Sequence, residues 1–441
     1  MPAKQKLRQF LQRQGASTSP EVQQHLVVSQ ATVSRLMADA ADEVIVCGKG
    51  KSTRYALAHP IGSAPSQQAI WMINALGMPE RLGSLSFLCQ SQMLIEADGV
   101  SQIFTASPNH VLPWYLTPLK AEGFLGRMLA HNLSAFGVPA NPQVWGAEQA
   151  LIGAIHTHDA PGAILLGSGL SDLNLGVAHI PDNNQQEALD ALAVGIAKML
   201  APGSSAGGEQ PKFLANNDQH ESLLIKFSPP IGTPFGDRWR DLLRMEALAS
   251  AVLQRYGLEA AKTEFVQTKT RAYLLSKRFD RVGTHGRLHV VSLGAVHQAF
   301  VKGSFVNWSA TCDALVRQGR LPLSSAEVIQ TIFQFGKLIG NSDMHFGNAS
   351  LFVVGNTLQD MLKAQFKLAP VYDMLPMRWR PDPLIGISDY APFEFDLMLA
   401  NQTARHAARH FWQEVSTDQF ISQPLKEVAL VMMGRTGCDV S

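Results

Sequence analysis

Apolar positions first recur at helical spacing over Lys4 to Gln14, where Leu7, Phe10 and Leu11 share a face and Lys4, Arg8 and Arg13 lie elsewhere. A second short helix is predicted from Ser19-Pro20-Glu21 to Leu26, because those three residues supply a capping hydroxyl, a proline at the first helical position and an early acid. Ser29 then caps a third helix running to about Ala40, with Val33, Leu36 and Met37 inward and Gln30, Thr32, Ser34 and Arg35 outward. Val44 to Cys47 and Ser52 to Leu57 read as the arms of a hairpin tipped by Gly48-Lys49-Gly50-Lys51. His59 to Gln68, rich in Ser, Pro and Gly, reads as a linker. Leu85 to Ala97 predicts two strands around a turn, and Val100 to Thr105 a third after the Asp98-Gly99 turn signal. From Pro113 to His156 the pattern is more helical, and Trp114, Tyr115, Phe124 and Trp145 read as core aromatics. His156 and His158 lack a nearby third ligand and are assigned a structural or solvated place.

Farther on, Ala188 to Leu200 is an apolar-rich helix, and Leu223 to Phe227 is a buried-strand pattern interrupted by Lys226. Arg240 to Tyr256 predicts a helix on which Glu246 lies among Leu242, Leu243, Ala247 and Leu248. Phe265-Val266 and Ala272 to Ser276 read as strands leading into Lys277-Arg278-Phe279-Asp280-Arg281. An apolar segment, Ile329 to Ile339, and a strand-like Leu351 to Val354 flank a polar loop, and Leu368 to Leu375 carries one acid, Asp373. The expected class is α+β.

Length and composition change this picture little. A chain of 441 residues, 46% hydrophobic and 17% charged, predicts two or three domains of a globular protein, and a formal charge of +1 points to no particular partner. Cys47, Cys89, Cys312 and Cys438 lie far apart without a CxxC pair, which excludes the patterns of a disulfide framework or zinc site and makes the reducing cytoplasm the expected location. No apolar run reaches membrane-spanning length and no signal-peptide core opens the chain, so no membrane is expected as a partner.

Local charge changes more. Residues 1 to 58 hold eight basic against four acidic residues in a nearly neutral chain. Three short helices and a basic hairpin resemble a winged helix-turn-helix over residues 1–60. In that arrangement Gln30, Thr32, Ser34 and Arg35 would enter the major groove, while Lys49, Lys51 and Arg54 would meet backbone phosphates. A small helical domain for dimerisation or docking is the alternative.

The chemistry concentrates in Asn341 to Ser350, which places Asp343, His345 and Asn348 on a loop between two rigid supports. With Asp373 downstream, this set suggests phosphoryl transfer: Asp343 orienting a hydroxyl, Asn348 and Asp373 holding magnesium against phosphates. His345 is expected to shape the loop by hydrogen bonding to backbone. Upstream, Pro202 to Phe213 carries glycines and serines able to wrap backbone amides around phosphate, Gly207 and Gly208 among them, though it is not the GxxxxGK[ST] sequence. A lysine in a buried strand needs a counter-charge, and Lys226 with Glu246 matches the device by which kinases hold nucleotide phosphates. The backbone around Lys277 to Arg281 is one that could face adenine as an interlobe hinge.

The order of glycine-serine loop, strand lysine, helix glutamate, Arg-Phe-Asp-Arg, Asp343-x-His345-x-x-Asn348 and Tyr372-Asp373 resembles the HipA-like serine/threonine kinases of bacterial toxin-antitoxin systems, over about residues 70 to 435. The resemblance implies a bilobal, protein-kinase-like fold that uses ATP and Mg2+, with Asp343 catalytic, Asn348 and Asp373 on the metal, Lys226 on phosphates and Lys277 to Phe279 as the hinge. It further implies an autophosphorylated serine, placed on Ser205 beside Ser204 by aligning Gly208 to Lys212 with the family's Gly-x-Gln-x-Lys. The fused N-terminal segment looks like the YjjJ (HipH) branch, whereas typical members rely on a separate DNA-binding antitoxin. Glu209-Gln210-Pro211 departs from the usual Ala-Gln-Glu.

By that resemblance residues 70–190 form an N-terminal subdomain, 191–280 the nucleotide-binding lobe and 281–441 a mainly helical catalytic lobe. The implied activity is growth-inhibitory phosphorylation of a protein such as a translation component, with an antitoxin and a homodimer among the partners it allows. Two other functions compete: a transcriptional regulator with a repurposed kinase fold, and a magnesium-dependent DNA-cleaving toxin.

Overall fold

A computed structural model of the chain describes residues 2–170, 177–199, 210–382 and 384–437. The chain forms two compact units, residues 1–173 with 355–364, and residues 174–354 with 365–441.

The first unit opens with α1 (Ala3–Gln14), β1 (Ser17–Thr18), α2 (Ser19–Leu26), α3 (Gln30–Asp39), β2 (Val44–Cys47) and β3 (Arg54–Leu57). Leu7, Phe10, Leu11, Val22, Val33 and Leu36 interlock as its core, the faces that helical spacing predicts. The strands run in the order β1-β3-β2, with Val44 opposite Leu57 and Cys47 opposite Arg54. The start of α2 differs from the expectation by one residue. Thr18 is the cap, and the Glu21 carboxylate accepts from its N–H at 2.6 Å and its hydroxyl at 2.8 Å. Ser19 is already helical, and its hydroxyl accepts from Gln23 Nε2 at 3.2 Å.

The expected linker is largely structured. Ile61 is buried and bridges Ala64, and Gln67 already begins β4 (Gln67–Ile73). The paired glutamines hide this strand from a hydrophobic pattern, yet Gln68 is buried and donates from Nε2 to the Pro65 carbonyl at 2.7 Å. With β5 (Pro79–Leu88), β6 (Gln92–Ala97), β7 (Val100–Thr105) and β8 (Ile164–Leu166) it forms an antiparallel sheet in the order β7-β6-β5-β4-β8. Helices α4 (Gly123–Asn132) and α5 (Ala147–Ile155) lie between β7 and β8 in the chain, and Tyr115, Phe124 and Trp145 are buried as expected, Trp114 only partly. The N-terminal segment packs on this sheet: Ala16, Cys47 and Ala56 share a cluster with Leu88 and Leu94, and the Ala16 N–H donates to Gln92 Oε1 at 2.7 Å.

In the second unit, β9 (Ala178–Ile180), α6 (Gln185–Met199), β10 (Lys212–Asn217), β11 (Ser222–Phe227), α7 (Pro234–Arg255), β12 (Thr263–Gln267) and β13 (Ala272–Lys277) build a sheet ordered β12-β13-β11-β10-β9 with its helices. The strand bearing Lys226 is therefore central, where a charge cannot reach water along an edge. Helix α7 starts well before the predicted Arg240, because the Thr233 hydroxyl caps it by accepting from the Gly236 N–H at 3.1 Å.

After the two-residue strands β14 (Arg281–Val282) and β15 (Gly286–Arg287) come β16 (Val290–Ser292), α8 (Leu293–Phe300), α9 (Trp308–Arg317), α10 (Leu323–Leu338) and β17 (Ser350–Val353). The next helix, α11 (Leu358–Lys363), groups with the first unit, and the chain returns through β18 (Phe366–Leu368), α12 (Gln402–Thr417) and α13 (Gln423–Arg435). β16, β17 and β18 make one antiparallel sheet, and Trp308, Phe335, Phe411 and Trp412 are fully buried in the helical part.

Candidate active site

The site begins with a charge in an apolar strand. Lys226 on β11 and Glu246 on α7 are 6% and 5% exposed, and isolated charges at that depth are costly. Lys226 Nζ donates to Glu246 Oε1 at 2.7 Å and Oε2 at 2.9 Å, and pairs also with Asp373 Oδ1. Helix α7 is fixed against the sheet by Leu243 and Ala247, which cluster with Ala272 and Leu274. Burial opposes charge on Lys226, but the carboxylates of Asp373 and Glu246 overcome it and raise the ammonium's pKa above its ordinary value. Burial also raises the Glu246 carboxyl, more than Lys226 lowers it. At Asp373 the balance reverses: burial is outweighed by Lys226 and then Lys212, and its carboxyl lies below the usual range. Lys212 stands directly opposite Lys226 in the β10–β11 register, so both ammonium-bearing side chains leave the sheet on one face.

The polar loop follows α10. Gly340 has φ +78°, and a Cβ there would fall 2.7 Å from Phe393 Cζ and 2.9 Å from Arg378 Cδ, so only glycine fits. Asn341, 3% exposed, accepts the Asp343 N–H on Oδ1 at 3.0 Å and donates from Nδ2 to the Asp373 carbonyl at 3.2 Å. Asn348 Nδ2 donates to the Asp343 carbonyl at 2.9 Å. His345 Nδ1 accepts the Gly347 N–H at 3.0 Å, the backbone-shaping contact expected of it, and its carbonyl accepts from Trp308 Nε1 at 3.1 Å. The Tyr372 hydroxyl donates to the Gly347 carbonyl at 2.7 Å and accepts from the Ser350 hydroxyl at 2.7 Å. Asp373 itself has φ +54°, a conformation costly for a side-chain-bearing residue, with its carbonyl bound by Asn341 and its carboxylate by Lys226. Asp343, Asn348, Asp373, Lys226 and Glu246 are thus joined through hydrogen bonds and ion pairs, with Asn341 as the link that sequence reasoning did not single out.

The remaining expected residues divide. Lys277 ends β13 paired with Glu221, and Phe279 packs its ring 5.7 Å from Tyr372 and 5.9 Å from Phe352. Arg278 and Arg281 both bind Asp280, at 3.0 and 2.7 Å. Ser205, Gly207 and Gly208 lie outside the described residues; beyond them Gln210 donates to the Phe227 carbonyl, which ties the end of that stretch to the lysine strand. In the N-terminal segment Gln30, Ser34, Arg35 and Lys49 are exposed. Thr32 shares a hydrogen bond with the Ser29 hydroxyl at 3.1 Å, Arg54 gives Nη1 to the Ala16 carbonyl at 3.2 Å, and the Lys51 side chain is outside the description. Among the described residues no three His, Cys, Asp or Glu side chains gather to hold a metal unaided.

Comparisons with known proteins agree on the region. A HipA-like C-terminal domain family matches residues 204–434, and a YjjJ-like toxin middle-domain family matches residues 64–172. Toxin YjjJ of Escherichia coli strain K12 is 35% identical over 440 residues, spanning 95% of this chain and 94% of the relative. Among solved structures, the complex of HipA, HipB and operator DNA from the Shewanella oneidensis MR-1 toxin-antitoxin system gives a TM-score of 0.52 at 15% identity, over 83% of this chain and 96% of the other, a likeness of fold. The Helicobacter pylori proinflammatory kinase CtkA gives a TM-score of 0.34 at 16% identity, over 52% of this chain and 87% of the other.

Proposed function

The chain belongs to the HipA-like family, in its YjjJ branch, and from that premise we propose that it is an ATP- and magnesium-dependent serine/threonine protein kinase carrying its own DNA-binding segment. The observation that carries the reading is the continuous network from Lys226 and Glu246 through Asp373 and Asn341 to Asp343 and Asn348. The donor set suits magnesium held jointly with phosphates: one carboxylate from Asp373 and one amide oxygen from Asn348, whose nitrogen is engaged by the loop. Magnesium there would draw charge from the phosphate oxygens during transfer.

The chain's own residues supply the rest. Lys226, kept protonated by its two acids, offers a fixed positive charge to phosphate, and Lys212 on the same face adds a second. Asp343 accepts the hydrogen bond of a serine or threonine hydroxyl and aims its oxygen. A bond forms from that oxygen to the terminal phosphorus, the bond to the bridging oxygen breaks, and ADP departs with the electron pair while the hydroxyl proton is released through Asp343. Lys277 to Phe279 is the adenine hinge, Gly207 and Gly208 are nucleotide-binding residues, and Ser205 is the serine that becomes phosphorylated.

Residues 1–60 act as a winged helix-turn-helix, with α3 in the major groove and the Lys49 hairpin on phosphate. The exposed Gln30, Ser34 and Arg35 support this. The solved HipA relative is complexed with HipB and operator DNA; in this chain the fused segment takes the DNA-contacting part, and the phosphorylated target is a protein of the translation machinery.

The test is transfer from labelled ATP to protein by wild type and Asp343→Gln. Loss of transfer in the variant with retained ATP binding is expected. Promoter binding without ATP affinity would instead make the protein a regulator, and ATP-independent plasmid cleavage lost in Asp373→Asn would make it a nuclease.

A further inference from the structure

A groove of about 560 Å3 in the second unit has Asn341 and Ser342, the two residues preceding Asp343, in its wall. Its floor is aromatic, with Phe333, Phe393 and Phe395 among the lining residues. Two cations are laid on that floor: Lys337 Nζ stands 5.4 Å from the Phe333 ring centre, and the Arg378 guanidinium carbon 4.0 Å from the Phe393 ring centre. Both side chains are exposed, and among the described residues neither forms an ion pair. Neither of the groove's acids pairs with these two cations: Glu394, 88% exposed, meets Arg435 at 2.8 Å and Asp396 accepts the Met398 N–H at 2.9 Å, and both acids remain in the lining.

Cations resting on ring faces are oriented before any ligand arrives, so less side-chain freedom is lost when an anion binds. A guanidinium in that position presents a planar fork that matches a carboxylate. The setting also limits what the anion is. A nucleic-acid backbone carries a charge at every step and would be set against Glu394 and Asp396, whereas a peptide places carboxylates singly and lays its intervening apolar groups on the rings.

We propose that this groove binds the acceptor segment of the protein substrate and selects serine or threonine residues that have acidic side chains close by in sequence. The proposal rests on the kinase reading for what happens to the bound hydroxyl. Asn341 and Ser342 join the groove to Asp343 along the chain and share its lining with Arg378 and Lys337, so a segment seated there runs beside the residue that orients the hydroxyl.

Two fluorescent peptides, identical except that glutamates around a central serine in one are glutamines in the other, test this by anisotropy with the nucleotide-free full chain. The glutamate peptide is expected to bind about tenfold tighter, and both Arg378→Gln and Lys337→Gln are expected to bring the ratio to roughly threefold or less. Lys337 is an exposed helix position, so its variant keeps the fold, and binding of an ATP analogue checks both variants. Equal binding of the two peptides, or a preference that survives both substitutions, overturns the proposal. Addition of magnesium and labelled ATP separates the two readings. Acidic preference without transfer leaves the groove and removes the kinase; transfer without acidic preference removes the groove and leaves the kinase.

Discussion

The Asn341 side chain spans two segments 32 residues apart in the chain, donating to the Asp373 carbonyl while accepting the Asp343 N–H. Asn341 touches neither acid at its carboxylate, so on the proposed kinase reading it is a positioning residue for both. Asn341→Ala should cost about 1 kcal/mol or somewhat more of stability, since it leaves two part-buried backbone groups without their partner. Phosphoryl transfer should fall on the order of ten- to a hundredfold while ATP affinity changes little. Asn341→Asp, equal in size, should do the same, because it turns an acceptor toward the Asp373 carbonyl. Urea titration, calorimetric ATP binding and turnover read the three effects separately.

Lys226 and Glu246 predict a non-additive result. Removing one member of a buried pair leaves the other uncompensated, so Lys226→Met alone should destabilise by roughly 3–5 kcal/mol. Lys226→Met with Glu246→Met should recover part of that loss, the remainder staying with Asp373, which loses the same ammonium, while remaining inactive. Urea midpoints of the two variants measure it; a double variant no more stable than the single one would contradict the burial argument.

Cysteine reactivity should follow burial. The Cys47 thiol is pushed up to about 11, by burial and then by Glu96, and the Cys312 thiol to about 12 by burial and then Asp313. Both remain neutral thiols at pH 8, so iodoacetamide should label neither in the native protein and both after unfolding. The sign of the pH effect is fixed. A folded pKa above the unfolded value of about 8.5 stabilises below that pH and is lost as pH rises through the folded value, so protection should erode toward pH 11, at Cys47 before Cys312.

Gly15 tests the seat of the N-terminal segment. Its φ of +76° suits glycine, and a Cβ would fall 2.5 Å from Gln92 Oε1, the atom that accepts the Ala16 N–H. Gly15→Ala should cost roughly 1–3 kcal/mol. Amide hydrogen exchange should show the loss first in α1 and β3, with α7 unaffected.

Much of the fold was legible where one physical signal dominated. Helices α1, α2 and α3 are amphipathic and punctuated by Gly15, Pro20 and Ser29, so they appear within a residue of their expected bounds. The Lys226–Glu246 pair was legible because a charge in an apolar strand demands a partner, and an apolar helix offered one. The strand Gln67–Ile73 was not, because it opens on two polar residues, of which Gln67 faces water while Gln68 is buried with its amide satisfied by the Pro65 carbonyl. Asn341 left no mark either. Its contribution is two hydrogen bonds across distant chain segments, and neither periodicity nor charge records such a contact. Nor did any local pattern announce that Lys212 would be registered opposite Lys226.

The excursion at residues 355–364 bears on how such a protein can be inherited. The chain passes from the first unit to the second after residue 173, back at 355 and over again at 365, carrying the buried Leu358 and Met361 with it. A gene cut once between the units would send that decapeptide away with the wrong half. Shuffling of whole modules is therefore obstructed, and the front and rear of the chain are expected to descend together as one heritable piece.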